Sequence, residues 1–402
     1  MSGDDSQHPL SNRNFRLLWI GSAISSIGDR FYFVALPWVI LQLTGSGALL
    51  GTIMMVGAVP RSVLMLVGGA ITDKVSPRRI MLATASCRTV LVAAIAALLW
   101  MRSLELWQLL VLSFLFGVAD AFEAPAGQTF LPSLVTAQQL PAANSVFQST
   151  TQITTLVVPA PAGILVAALG TAWAFFIDAI SFLFILASLW KLPDPPNAES
   201  TTPHQNIASA ILEGLRYVKK DLALTSLLSV VAVLNFCMVG PFGVGIPFLV
   251  KRQFGSPVAL GLLMSALAVG GLAGTLLAGV WKMRRRGVLL LVVAALIAIL
   301  IPTVGLLHHL GSLALILFLI NGLAGYLNIQ LFAWFQQRVD RAVLGRVMSV
   351  LMFASVGLMP LSLAAAGVAI QWSLPGRFIG SGAMVVAVTL AAALLRPVRE
   401  IE

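Results

Sequence analysis

Charge is what this sequence has least of. Only 10% of its 402 residues are Asp, Glu, Lys or Arg, against roughly 25% in an ordinary soluble domain, so a soluble globular fold is excluded. Cysteine is as scarce: Cys87 and Cys237 both sit inside apolar runs, which excludes a disulfide framework and a thiolate metal site. The histidines, His8, His204, His308 and His309, have no Cys or carboxylate near them at metal-ligand spacing. A phosphate-binding glycine loop of the Walker type is missing, so ATP-driven work within this chain is not expected. No enzymatic activity, cofactor or metal is expected.

What the chain has instead is apolar length. Hydrophobic residues make up 58% of it, in recurring runs of about 20 residues, each long enough to cross the ~30 Å hydrocarbon core as a helix. The alternating pattern of a membrane barrel is absent. The reading is an all-α polytopic membrane protein with twelve transmembrane helices. The first six spans are expected at Phe15–Leu43, Ala48–Thr72, Arg79–Met101, Leu106–Gln128, Ala143–Leu169 and Ala172–Trp190. The last six are expected at Leu222–Val250, Val258–Trp281, Gly287–Leu307, Ser312–Trp334, Leu344–Gln371 and Arg377–Leu395. The opening residues are polar and the first apolar run exceeds a signal-peptide core, so it is expected to remain as span one.

The net charge of +10 fits basic loops on one side of a membrane better than a nucleic-acid surface. With the N-terminus inside, eighteen Lys and Arg fall in inner segments and four in outer ones. That bias places both termini in the cytoplasm and the chain, multi-pass, in the inner (plasma) membrane. A proline-broken polar stretch follows span six. Beyond it Ile207, Ile211, Leu215 and Val218 share one helical face opposite Glu213, Arg216, Lys219 and Lys220, the pattern of a helix lying on a membrane surface. The domains expected are residues 1–192, a six-helix bundle; 193–221, a cytoplasmic linker with an amphipathic helix; and 222–402, a second six-helix bundle. Sliding the second half by 210 residues superposes Gly51 on Gly261, Met54 on Met264, Ala58 on Ala268 and Gly69 on Gly279. Such internal repeats belong to transporters.

Ionisable groups within a membrane are costly and point to function or pairing. All of them lie in the first half: Asp29, Arg30, Arg61, Arg88, Asp120, Glu123 and Asp178. At 1.5 Å per residue, Asp29 and Asp178 lie about 20 Å from the inner face, with Arg61, Arg88, Asp120 and Glu123 in a layer nearer the cytoplasm. Asp29, Asp120 and Glu123 are the candidates for proton coupling. Asp29 continues a polar stripe with Ser22 and Ser25 or Ser26 at helical spacing; the bland alternative is a hydrogen-bond acceptor or a partner for Arg30. Asp120 and Glu123, three apart, share one helix face and either share a proton or are neutralised by arginines. Arg30, Arg61, Arg88 and Asp178 are read first as intramembrane charge partners.

The second half offers uncharged polarity: Asn235 and Phe236 in span seven, and Asn321, Tyr326, Asn328 and Gln330 in span ten. These are the candidates for a substrate cavity suited to a large amphipathic solute, against the alternative of ordinary helix packing. Gly270-x-x-x-Gly274 in span eight is a helix-packing pattern.

One loop carries a resemblance. Gly69-x-x-x-Asp73-Lys74-x-x-x-Arg78-Arg79, between spans two and three, resembles the signature loop of the major facilitator superfamily. Gly28-Asp29 with Ala35-Leu36-Pro37-Trp38, Pro125-Ala126, Leu131-Pro132, Ala143-Asn144 and Phe176-Ile177-Asp178-Ala179-Ile180-Ser181-Phe182 are similar to the drug:proton antiporter group of macrolide efflux pumps and the enterobactin exporter. Two departures stand out: Ser76 replaces the loop's second glycine, and Val158-Pro159-Ala160-Pro161-Ala162-Gly163 lacks two glycines of the group's span-five pattern. The resemblance implies two bundles rocking about a central cavity. It also implies a conformational latch made of Gly69, Asp73, Lys74, Arg78, Arg79, Gly345 and Arg346. In that latch Asp73 meets the N-terminal end of span eleven, and Arg78 or Arg79 reaches an acid at the inner end of span four, with Glu123 nearest. The function expected is secondary efflux of hydrophobic or amphipathic, drug- or macrolide-like small molecules, with protons as the coupling ion, the bilayer as setting and a monomer as the working unit. The alternatives are export of a specific siderophore or lipid-like metabolite and, remotely, a non-transporting membrane scaffold or sensor.

Overall fold

The computed structural model of the chain describes residues 8–72, 75–194, 207–281, 286–340 and 343–399. Among these, eleven helices are long and apolar enough to cross a membrane, and a bent pair makes a twelfth span. The helices of the first half are Arg13–Thr44, Gly47–Thr72, Pro77–Trp100, Leu106–Phe130, the pair Leu140–Val157 and Pro159–Leu169, and Thr171–Lys191. These are spans one to six. Spans seven to twelve are Leu222–Gln253, Pro257–Val280, Arg286–Val304, Leu310–Arg338, Leu344–Trp372 and Leu374–Ala393.

Proline and glycine place the breaks. Span five, expected as one helix, bends by 44° between Val157 and Pro159, where Pro159 and Pro161 remove two backbone donors in one turn. Spans seven and eleven each contain one π-helical stretch, Pro241–Gly245 and Phe353–Gly357. The first opens on Pro241 and the second runs into Pro360, so each widening adjoins a residue that cannot donate to the ladder. Gly45 and Gly170, with φ of 62° and 92°, turn the chain between spans one and two and between five and six in a backbone region other residues rarely enter. Trp100, Trp107, Trp190 and Trp372 stand exposed at or near helix ends, where amphipathic rings belong at a membrane–water boundary.

Two compact units emerge. One comprises Met1–Thr44, Val56–His204 and Ser256–Gly261; the other Gly45–Met55, Gln205–Gly255 and Leu262–Glu402. Within the second, the amphipathic helix Ile207–Val218 is tied to neighbouring spans. Glu213 pairs with Arg346 at 2.9 Å, Gly214 lies against the Arg346 carbonyl, and the Tyr217 hydroxyl lies 3.4 Å from Asp340 Oδ2. Asp221 caps span seven by accepting from the Ala223 and Leu224 amides and pairs with Arg338 at 3.1 Å.

Candidate functional site

The intramembrane charges of the first unit converge on one side chain. Arg88, in span three, is 5% exposed and donates to Asp29 of span one at 3.3 Å, and to Asp120 and Glu123 of span four at 2.9 Å each. Arg61 of span two holds the other Asp120 oxygen at 3.1 Å. The guanidinium can serve three carboxylates because it is a planar fork with five donors. Its faces are covered as well: the Arg88 Cζ lies 4.9 Å from the Phe116 ring and 4.8 Å from the Phe182 ring. Two cation–π contacts on a desolvated arginine add attraction while excluding water. Tyr32 stacks on Phe116, centroids 4.5 Å apart and planes 10° from parallel.

Helix packing delivers these groups. Gly117 lies against the Gly57 carbonyl, so spans two and four approach closely one turn below Arg61 and Asp120. Gly28 lies against Ser181 and Asp178, which seats span one on span six and leaves Asp29 facing span three. Ser26 and Thr154 share a hydrogen bond of 3.0 Å, and the Trp19 indole donates to Thr150 at 2.9 Å. The serine stripe of span one therefore meets span five.

Three sequence expectations change here. The two charge layers are a single cluster, because the length of Arg88 joins the depth of Asp29 to that of Glu123. Asp29 is paired with Arg88 rather than with its neighbour Arg30, whose Nε is buried without a hydrogen-bond partner and whose Cζ lies 5.9 Å from the Phe33 ring. The arginines of the signature loop do not reach Glu123. Arg78 donates to the carbonyls of Leu189 and Trp190 at 2.8 and 3.2 Å, and Arg79 pairs with Asp194 at 3.2 Å. Both point toward the end of span six and the start of the linker, while Glu123 is already engaged by Arg88. Ser76, the residue in place of the family's glycine, also donates to Asp194, so this departure builds the contact that draws the loop to the linker. Of the remaining loop residues, Gly69 lies in span two, and Asp73 and Lys74 lie outside the described residues. Gly345 opens span eleven, where Arg346 is engaged by Glu213.

The amides of the second unit are bound up in helix contacts. Asn321 donates to the Leu267 carbonyl at 2.7 Å, Gln330 to Ala278 at 3.2 Å and the Tyr326 hydroxyl to Trp281 at 3.2 Å. All three tie span ten to span eight or its end, where Gly270, Gly274 and Gly322 bring the backbones together. Asn235 donates to Val231 of its own helix, and the Phe236 carbonyl accepts from Ser362. Asn328 is exposed. Beside this seam lies an apolar groove of about 460 Å3, lined by Leu277, Leu289, Val293, Phe318, Leu323 and Tyr326 among others.

Sequence reasoning did not single out Tyr32, Phe116 or the clamping role of Phe182. Helical spacing was the available signal: Phe116 stands four residues before Asp120 and Phe182 four after Asp178, so each ring shares a face with an acid.

Residues 5–402 match the family model of transmembrane secretion effectors. Macrolide efflux protein A of Streptococcus pyogenes is 24% identical over 399 residues, covering 96% of this chain and 97% of that protein. The multidrug efflux pump Tap of Mycolicibacterium fortuitum is 27% identical, the match spanning 65% of each chain, less than two thirds of that relative's own length. The enterobactin exporter EntS of Shigella boydii is 27% identical, covering 83% of this chain and 79% of that one. Among solved structures, the nucleoside transporter NupG superposes with a TM-score of 0.76 at 12% identity, covering 97% of this chain and all of that one. A bacterial ferroportin homologue in the inward-facing state gives 0.69 at 15% identity, covering 95% and 98%. At such identities the structural likeness speaks for the fold.

Proposed function

The chain belongs to the transmembrane secretion effector family of the major facilitator superfamily, and from that premise we propose that it exports hydrophobic or amphipathic small molecules in exchange for protons. As a multi-span member of this family it is an integral membrane protein and a transporter rather than an enzyme. The observation that carries the proposal is the Arg88 cluster: an arginine 5% exposed, shared by Asp29, Asp120 and Glu123. Charges at such depth are retained where they are used. Two full-length or near full-length relatives bearing efflux names, for a macrolide and for enterobactin, support the direction of transport.

The cluster supplies a coupling device. A proton arriving on Asp29 cancels one of the three negative charges that hold Arg88, and a buried guanidinium that loses a partner must find another or move. Glu123, 30% exposed against 23% for Asp29 and 17% for Asp120, is the most open member and would hand protons to one side. Arg88 thus converts protonation into a change in how spans one, three and four are held together. The second unit, whose described charged residues within the spans (Lys251, Arg252, Arg286, Arg338, Arg346 and Arg377) all stand near helix ends, contributes shape. Its apolar groove and exposed Asn328 suit solute contact rather than proton exchange. Both termini are assigned to the cytoplasm from the distribution of Lys and Arg.

The test is solute-induced collapse of a proton gradient in everted membrane vesicles, with erythromycin as the first probe. The wild-type protein releases the gradient and Asp29→Asn does not, while its binding of the probe persists. An unchanged response in Asp29→Asn removes Asp29 from coupling. Export of a siderophore is the second reading, favoured by the enterobactin exporter match. It predicts that deletion impairs growth on scarce iron and leaves drug resistance intact.

A further inference from the structure

We propose that Asp178 carries a proton while Arg88 holds its three carboxylates, and that it is a second proton-binding site of the cluster, discharged when Arg88 changes partners. The proposal rests on the coupling site described above but reads a residue outside its ion pairs. Asp178 lies in span six and is fully buried, at 0% exposure. Its Oδ2 has no hydrogen-bond partner. Its Oδ1 has one, the Ser181 hydroxyl at a long 3.4 Å, and that hydroxyl makes its shorter contact, 2.7 Å, with the Asp178 carbonyl. Among the described residues no cation forms an ion pair with it: the terminal nitrogens of Arg88 are directed to Asp29, Asp120 and Glu123, and its buried Nε makes no hydrogen bond. Gly28 packs on Asp178 and Ser181 with no space for a side chain.

An ionised carboxylate in such a place has neither water nor cation to hold its charge, and the neutral acid is the state its surroundings accept. The charge count agrees. Away from the helix ends, the spans of this unit carry four carboxyls, Asp29, Asp120, Glu123 and Asp178, against three guanidiniums, Arg30, Arg61 and Arg88. One proton makes the set neutral, and Asp178 is the acid left without a counter-ion. The titratable and charged groups acting on it from the helices packed against span six are Asp29 and Tyr32 of span one and Arg88 of span three. The second half of span five, Pro159–Leu169, has no titratable side chain. Arg88 is therefore the cation on which its ionisation depends.

The exchange balances. When Asp29 takes up a proton, Arg88 loses one anionic partner; as the Gly28 contact that seals Asp178 opens, Asp178 gives its proton to solvent and becomes the replacement partner. One proton is bound and one set free, and the charge of the cluster is unchanged. Two acids on different helices are thereby made alternatives for one arginine, so protonation is tied to which of spans one and six Arg88 holds.

Infrared spectroscopy of the full chain in lipid nanodiscs reads this directly, through the carbonyl stretch of a protonated carboxylic acid at neutral pH. The wild type is expected to show such a band, shifted in heavy water and absent in Asp178→Asn. No band in the wild type, or a band that survives Asp178→Asn, overturns the proposal. Should Asp178→Asn fail to fold, Asp178→Glu must move the band, and an unmoved band overturns it equally. The discharge is tested in the double variant Asp120→Asn/Glu123→Gln, where Arg88 has donors to spare. Loss of the band there is expected; its persistence makes Asp178 a permanently neutral acid and defeats the switch. A wild type with the band but with no solute-driven proton release would sink the antiport reading alone.

Discussion

The two halves of this chain place polarity within the membrane differently. Away from the helix ends the spans of the first unit hold seven charged side chains, and five of them, Asp29, Arg61, Arg88, Asp120 and Glu123, form one ion-pair cluster around a desolvated guanidinium. The second unit binds span ten to span eight with neutral groups, Asn321, Tyr326 and Gln330 donating to backbone carbonyls over a seam of glycines. The contrast shows how a repeated fold can divide its labour. A charge network changes state when one proton arrives, whereas amide–carbonyl bonds and close-packed backbones do not titrate. The half with the ion-pair cluster and the half with the amide seam share an architecture and differ in side chains.

The comparison breaks hardest at Arg88. Arg88→Ala leaves three acids facing one another with their shared cation gone, and removing one member of a buried pair costs about 3–5 kcal/mol. We expect a large fall in thermal stability and no transport. Arg88→Lys, a point charge in place of a fork, should recover folding and part of the activity; a Lys variant indistinguishable from the wild type would mean that the fork geometry is irrelevant.

A smaller effect is expected where the second unit is vulnerable, to bulk rather than charge. Gly274→Val drives a side chain into the Gly322 backbone and should cost about 1–3 kcal/mol by overpacking. Thermal unfolding would show it, and the pH dependence of probe binding should stay as in the wild type. A shifted pH profile would mean that the second unit takes part in proton coupling after all.

The smallest effect is expected at Asp194, at the end of span six. Its carboxyl sits below the usual aspartate range because Ser76 donates to it, with the charge of Arg79 adding to the effect. A depressed folded-state value means that its stabilisation is present at neutral pH. That contribution fades as acid takes the pH below the ordinary value near 3.8 and through the lower folded one. Asp194→Asn should lower the melting temperature slightly at pH 7 and leave it unchanged at the acidic end. A difference that grows toward acid would contradict that assignment.

Much of the architecture was legible from the chain. Span boundaries such as those of spans two and six were readable to within a few residues, because hydrocarbon thickness sets a length that any 20-residue window can be tested against. Pro159 and Pro161 were visible in the span-five pattern, but the bend they cause was not, since proline is tolerated in many membrane helices where neighbouring groups resatisfy the backbone. Ser76 was noted as a substitution for glycine, and its role in holding Asp194 depended on where the chain runs 118 residues later. Asn321 and Gln330 read equally well as cavity or packing residues, because an amide donates to a solute and to a neighbouring carbonyl with the same chemistry.

The sequence by itself determined which helices cross the membrane and which of them carry charge, since transfer of a side chain or a span into hydrocarbon is a cost local to that stretch. Tertiary structure alone decided the pairing: that Arg88 and not Arg30 takes Asp29, that Arg79 turns to Asp194, and that among the described residues no cation pairs with Asp178. An ion pair depends on the rotation and depth of two helices at once and falls off within a few ångströms. No pattern along either helix contains that information.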